Sequence, residues 1–372
     1  MKLGFLRPLY EQTGRYVSVY LDTNRATEKA PQAVALRWRA ARDRLAAAGA
    51  DGATLAAIGD LVTDPDQAAP GRAVFGRGGS VSFTASLADP PQREIARVAP
   101  LPHLMPLLAS QPPQPPHLQV TATRAGGDIL AVAPAEGDWA RHAGRRGWPL
   151  HKSPSGGWSQ LQHQRSTEEA WEDNAKELAT QVMDAAERIG AAQVVVAGDA
   201  RAQSLLRKHL SSRWQAAVLT VGEEVPPDAG AVAAAAERAL ARQEDEACRE
   251  RFGHWQTQLA HGAATQGLAG TLTALADGQV AQLFLADRPA TAASAWVGPA
   301  GTDLAASEAE LRERGVPDPV SERADAAAIR AAAATDAELY ILPGDLLAAQ
   351  QPDVITEPQD GICATLRYPP AS

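Results

Sequence analysis

A chain of 372 residues has room for two or three domains, each with its own core. A hydrophobic share of 45% against 21% charged residues excludes a disordered chain, and a net charge of -9 excludes a surface that attracts polyanions throughout, so any nucleic acid must meet a local basic stretch. The two cysteines, Cys248 and Cys363, form no CxxC and no Cys/His cluster, which favours free, buried thiols over a disulfide or a metal site.

The apolar start at Met1 to Phe5 is too short for a signal peptide, and no run approaches the about 18 apolar residues of a membrane span, so the cytoplasm is the expected compartment. The first strand is predicted from Tyr16 to Thr23, where aromatic and β-branched residues dominate. After a turn at Asp22 to Arg25, Pro31 occupies a first helical turn, and Val34, Leu36, Trp38, Ala41 and Leu45 predict an amphipathic helix that stops near Gly49. A short helix around Leu55 to Leu61 and strands at Ala73 to Phe75 and Val81 to Thr84 follow. The Gly76 to Gly79 stretch between those strands reads as a hairpin, because a phosphate-cradling loop would be followed by a helix and not by a strand.

Four prolines within Gln111 to Pro116 favour extended polyproline II backbone and mark a domain boundary. Beyond it, Leu118 to Thr123 and Asp128 to Ala133 flank Arg124-Ala-Gly-Gly127, a predicted β-hairpin. The stretch from Trp139 to Thr167 then holds Arg141, Arg145, Arg146, Lys152 and Arg165 with no Asp or Glu, a local positive field. Within it, Ser153 to Gly157 is a loop, since proline removes a backbone donor and paired glycines permit positive φ. Such a loop is either merely solvated or a device for reaching into something anionic. Trp171, Ala175, Leu178, Val182 and Ala186 then recur at helical spacing. Gln193 to Ala197 reads as a strand, Arg201 to Leu210 as a helix and Ala217 to Val221 as a strand, which predicts a mixed or parallel sheet covered on both faces.

After Pro226-Pro227 a long helix is predicted from about Val232 to His261, with Phe252, Trp255 and Leu259 as its apolar stripe. Leu268, Leu272 and Leu275 give a second helix, followed by a strand from Val280 to Ala286. Strands at Ala295 to Val297 and Leu339 to Leu342, an alanine-rich helix from Asp325 to Ala334 between them, and a closing strand from Ile362 to Tyr368 complete a second α/β layer. The segment from Pro299 to Asp318 is weakly patterned and reads as a loop or insertion.

Among candidate chemical groups, Ser159 and His163 could share a helix face, but no nearby acid orients the imidazole. The eight histidines show no metal-ligand spacing, and Asp128, Asp138, Glu168 and Asp199 read as caps, turns and solvated positions before metal ligands. No cofactor and no metal is implied.

The order Lys152-Ser-Pro-Ser-Gly156-Gly157-Trp158-Ser159-Gln160 through Arg165, then an acidic-headed helix and the strand Val194 to Gly198, resembles the central domain of the archaeal and eukaryotic class-1 peptide-release factor and Pelota family. It is most similar to the bacterial, Balon-like hibernation branch and its actinobacterial members. The resemblance implies a three-domain α/β architecture over 1–111, 117–225 and 228–372, with a ribonuclease-H-like central domain and a C-terminal domain like the kink-turn-binding ribosomal proteins. It implies binding of rRNA, and tRNA with it, at the ribosomal A site through Arg141, Arg145, Arg146, Lys152, Gly156, Gly157, Trp158, Ser159 and Arg165. A translational GTPase such as elongation factor Tu is the implied partner, with the protein a monomer away from the ribosome. The family's stop-codon motifs are absent from 1–111, so stop-codon reading is not expected. The family's Gly-Gly-Gln carries a glutamine that positions the attacking water; Trp158 stands there instead, and its indole is donor-only and suited to stacking. Occupancy of the A site in hibernation, stalling or rescue is therefore expected without peptide release. The enzymatic alternative is peptidyl-tRNA hydrolysis through Gln160, although a two-residue displacement on a helix turns a side chain by about 200°.

Overall fold

The computed structural model describes residues 1–11, 14–26, 29–67, 69–110, 115–133, 146–151, 164–222, 229–287, 293–344 and 357–368. In chain order the first segment comprises α1 (Arg7–Tyr10), β1 (Tyr16–Asp22), α2 (Ala30–Ala47), α3 (Gly52–Thr63), β2 (Gly71–Arg77), β3 (Ser80–Leu87), β4 (Ile95–Ala99) and α4 (Met105–Ser110). Four strands form an antiparallel sheet in the order β3-β2-β1-β4. Asp51 caps α3 by accepting from the Thr54 amide at 2.7 Å, and Gly78 and Gly79 adopt positive φ in the expected β2–β3 turn. Val34, Trp38, Ala41 and Leu45 of α2 and Leu55, Ile58 and Val62 of α3 cover the sheet face that carries Val17, Val19, Leu21 and Val74. Leu36, expected on this stripe, is 64% exposed, because it lies about 200° around the helix from Val34.

The middle segment contains β5 (His117–Thr123), β6 (Gly126–Ala133), β7 (Arg146–His151), α5 (Gln164–Arg188), β8 (Gln193–Gly198), α6 (Ala200–His209), α7 (Ser212–Ala216) and β9 (Val218–Thr220). Its sheet runs β7-β6-β5-β8-β9, with β6 antiparallel to both neighbours and β5, β8 and β9 mutually parallel. This mixed order, reached by an antiparallel meander and then helical crossovers, agrees with the ribonuclease-H-like expectation. One face packs on α5 and α6 through Leu118, Val120, Leu178, Val182, Val194 and Leu206. The other meets the first half of α8 (Ala229–Ala260), where Val232, Ala236 and Leu240 cover Val195 and Ala197.

The remaining elements are β10 (Ala264–Gln266), α9 (Leu268–Ala276), β11 (Val280–Ala286), β12 (Ser294–Val297), β13 (Leu304–Ala305), α10 (Glu308–Glu313), β14 (Val320–Arg323), α11 (Ala324–Thr335), β15 (Glu338–Leu342) and β16 (Ile362–Leu366). A mixed sheet in the order β10-β16-β11-β15 has the second half of α8 on one face, through Cys248, Phe252 and Trp255 against Phe284, Tyr340 and Cys363. Both cysteines are free and buried, and burial pushes the Cys363 thiol well above its ordinary value. The segment read as a loop between 299 and 318 instead holds β13 and α10. Strands β13-β12-β14 form a further small sheet, and Ser307 caps α10 by accepting from Glu310 N at 3.2 Å. Elements this short carry too few residues to establish a hydrophobic period.

Two compact units divide the chain, Met1–Pro113 with Glu246–Ser372 and a second containing Arg145–Asp245. The first and third segments, expected as separate domains, thus share one core. Ala326, Ala327, Ile329, Ala331 and Ala333 of α11 are buried in the same cluster as Leu3, Leu6, Tyr20, Phe75 and Leu104 of the first segment and Leu283 and Leu339 of the last. Alanines around most of α11 let its neighbours approach closely, and its two buried polar residues are hydrogen-bonded, Arg330 to the Gly298 and Asp303 carbonyls and Asp325 to Arg323. Polar groups reinforce the joint. Glu322, with its side chain 1% exposed, receives hydrogen bonds from Arg97 and from the Leu101 amide, while Arg7 donates to the Ala333 carbonyl at 2.8 Å and pairs with Asp336 at 2.7 Å.

Candidate functional site

Part of the basic stretch belongs to the five-stranded sheet. β7 pairs antiparallel with β6 from Ala133↔Arg146 to Ile129↔His151, with Arg146 at one end of the strand and His151 at the other. Arg141, Arg145, Lys152, Gly156, Gly157, Trp158, Ser159 and Gln160 lie outside the described residues, as do Asp138, His163 and the Pro226-Pro227 junction. Arg146 is the first residue of β7 and Arg165 the second of α5.

Around the start of α5, side chains from the β5–β6 turn and from α6 converge on Trp171, which sequence periodicity puts in the apolar stripe. The indole is half-buried, and among the described side chains of the helix the first fully buried one is Ala175. The Arg124 guanidinium, from the β5–β6 turn, lies 4.8 Å from the ring centroid, and that of Arg201, from the first turn of α6, lies 5.5 Å away. Arg124 pairs with Asp199 at 3.1 Å, and Arg201 with Glu168 at 2.7 Å. Asn174 donates to the Arg124 carbonyl at 3.1 Å. Asp199 also caps α6, accepting from Ala202 N at 3.0 Å, and this bond first, with Arg124 second, holds its carboxyl below the usual carboxylate range. Glu172 is held low chiefly by the Lys208 ammonium and then by His209. Asp199 and Glu168, weighed above as metal ligands, are thus a cap and an ion-pair partner, and no group of three or more metal-ligating side chains occurs among the described residues.

The strand leading to this end needs its terminal glycine. Gly198 has φ of +109°, and a Cβ there would sit 2.2 Å from the Ala122 carbonyl oxygen, so the Ala197-Gly198 pair that ends β8 reflects backbone packing. Sequence reasoning passed over the Arg124–Trp171–Arg201 cluster because its members are 30 and more positions apart; the one available signal was a tryptophan on an otherwise charged helix head.

Residues 116–261, which contain this sheet, the basic stretch, α5 and most of α8, match the family model described as Bacterial archaeo-eukaryotic release factor family 2. This part of the chain is similar to the bacterial archaeo-eukaryotic release factors. Solved structures similar to the whole chain include the archaeal translation termination factor aRF1, at 16% identity over 98% of this chain and 96% of that one with a TM-score of 0.25. Archaeal Pelota in its ribosome-bound form, described together with ABCE1, is 12% identical over 99% of this chain and 94% of its own, with a TM-score of 0.39. Saccharomyces cerevisiae Dom34, described as a translation termination-like factor, is 10% identical over 68% of this chain and 63% of its own, with a TM-score of 0.32. No curated protein sequence matches this one. The matched residues include the Gly156-Gly157-Trp158 segment. Among the described residues, no helix of the chain is long and apolar enough to cross a membrane.

Proposed function

We propose that this protein is a cytoplasmic translation factor that binds the ribosomal A site in hibernation, stalling or rescue, without reading stop codons and without releasing the nascent peptide. The observation that carries this reading is the release-factor match over 116–261, which brackets a stretch with five cations, no acid, and Trp158 after Gly156-Gly157. In a chain of net charge -9, that stretch is where rRNA phosphates would be met first. Trp158 offers a face for stacking on a base and lacks the acceptor needed to orient a water. A translational GTPase such as elongation factor Tu is the proposed partner of the 228–372 part.

The test is ribosome binding at several salt concentrations with wild type and with Arg145, Arg146 and Lys152 together replaced by alanine. Each rRNA phosphate deprived of its cation should flatten the salt slope by up to about 0.9, with weaker binding at low salt. An unchanged affinity and slope would remove the proposal's support. A single-turnover peptide-release assay run beside it should show no release; release abolished by Gln160→Ala would replace occupancy by hydrolysis.

A further inference from the structure

Helix α5 has 25 residues and is therefore about 37 Å long, whereas the six residues of β8 beside it span about 20 Å. The helix outruns its sheet. Among the described side chains of α5, none from Glu168 to Asn174 is buried, and Ala175 is the first that is. Apolar burial therefore does not fix the turns from Glu168 to Asn174. What touches them is the cluster around Trp171: Arg124 and Arg201 over the indole, Asn174 on the Arg124 carbonyl, Glu168 on Arg201, and Glu172 on Lys208 and His209.

The ion pairs in this set are exposed, with Arg201 and Glu168 at 56% and 62%, and pairs of that kind contribute little and are screened by salt. The indole differs. Its ring quadrupole attracts two guanidiniums at once, and each is held from behind, Arg124 by Asp199 and Arg201 by its place in the first turn of α6, which Asp199 caps. Asp199 thereby ties the β5–β6 turn and the α6 start to one aromatic ring. Alanine or leucine at 171 would suit the helix as well and leave both guanidiniums without that attraction.

We propose that Trp171, clasped by Arg124 and Arg201, is a positioning residue that keeps ordered the first turns of α5, which follow residues 152–163 in the chain. Its effect on ribosome binding rests on the function proposed above; its effect on the helix does not.

Hydrogen exchange on the full-length protein separates the two. Trp171→Leu keeps a large apolar side chain and helix propensity but removes the π face. Amides of 164–172 should exchange about tenfold faster, the effect expected from removing two exposed cation–π interactions, while 175–188 and the unfolding midpoint stay at wild-type values. Trp171→Phe, which keeps a π face, should restore most of the protection, and ribosome affinity should fall with Leu and recover with Phe. Wild-type exchange over 164–172 in Trp171→Leu, or acceleration spread evenly through 175–188, would overturn the clasp. Local acceleration with unchanged ribosome affinity would uphold the clasp and count against the ribosome reading.

Discussion

Glu322 tests whether residues 1–113 and 246–372 fold as one body. Its carboxylate is enclosed and accepts from the Arg97 guanidinium, from Leu101 N at 3.0 Å and from Arg323 N at 2.7 Å. Glu322→Ala deprives two backbone amides of their acceptor, at about 1–3 kcal/mol each when buried. It also strands Arg97, but that side chain is 36% exposed and partly rehydrates, so about 1 kcal/mol is a fairer addition than the about 3–5 kcal/mol of a fully buried broken pair. The expected loss is about 3–7 kcal/mol, and Glu322→Gln, which keeps one acceptor and the shape, should lose roughly half as much. Urea unfolding followed by circular dichroism gives the total, and hydrogen exchange shows where it falls. Both 95–105 and 320–333 should lose protection together, because Glu322 holds Arg97 and Leu101 from the first segment at the head of α11. A loss below about 1 kcal/mol, or wild-type exchange over 95–105, would refute the reasoning.

The same joint should respond to pH. His103 is buried, and desolvation first, with Arg323 and Arg97 opposing Asp325, lowers its pKa to about 4 from 6.5. Since the folded pKa lies below the unfolded one, the contribution is complete above pH 6.5 and shrinks as pH falls toward 4, by about 2–3 kcal/mol between pH 7.5 and 4.5. Urea midpoints of wild type and His103→Gln at those two pH values should differ in their pH dependence by that amount; parallel behaviour would remove His103 as the cause. Ending the chain at Asp245 should leave the central sheet protected from exchange while 1–113 loses protection, because α11 and its neighbours complete the core that holds Leu3, Phe75 and Leu104. Native-like protection of Phe75 and Leu104 in that truncated chain would show the first segment to be self-sufficient.

Periodicity in the sequence was enough to locate the longer elements, because a helix or strand advertises its buried face through neighbours three, four or two positions away. Val34, Trp38, Ala41 and Leu45, the β5–β6 hairpin, and the Phe252–Trp255 stripe all occupy the faces their spacing predicts. Composition alone singled out the cationic, acid-free stretch, and its residue order supplied the family resemblance that the match over 116–261 supports. Which surfaces meet was decided in three dimensions. Nothing local in an alanine-rich helix says that it will be enclosed by residues more than 200 positions earlier, since alanine tolerates many partners and specifies none. Helix α8 reads as one domain's own element, yet its two halves cover two different sheets, an assignment set by the shapes of those sheets and not by its period. Trp171 fits a core stripe by spacing and is withheld from the core because α5 extends past its sheet, where two guanidiniums lie over the ring.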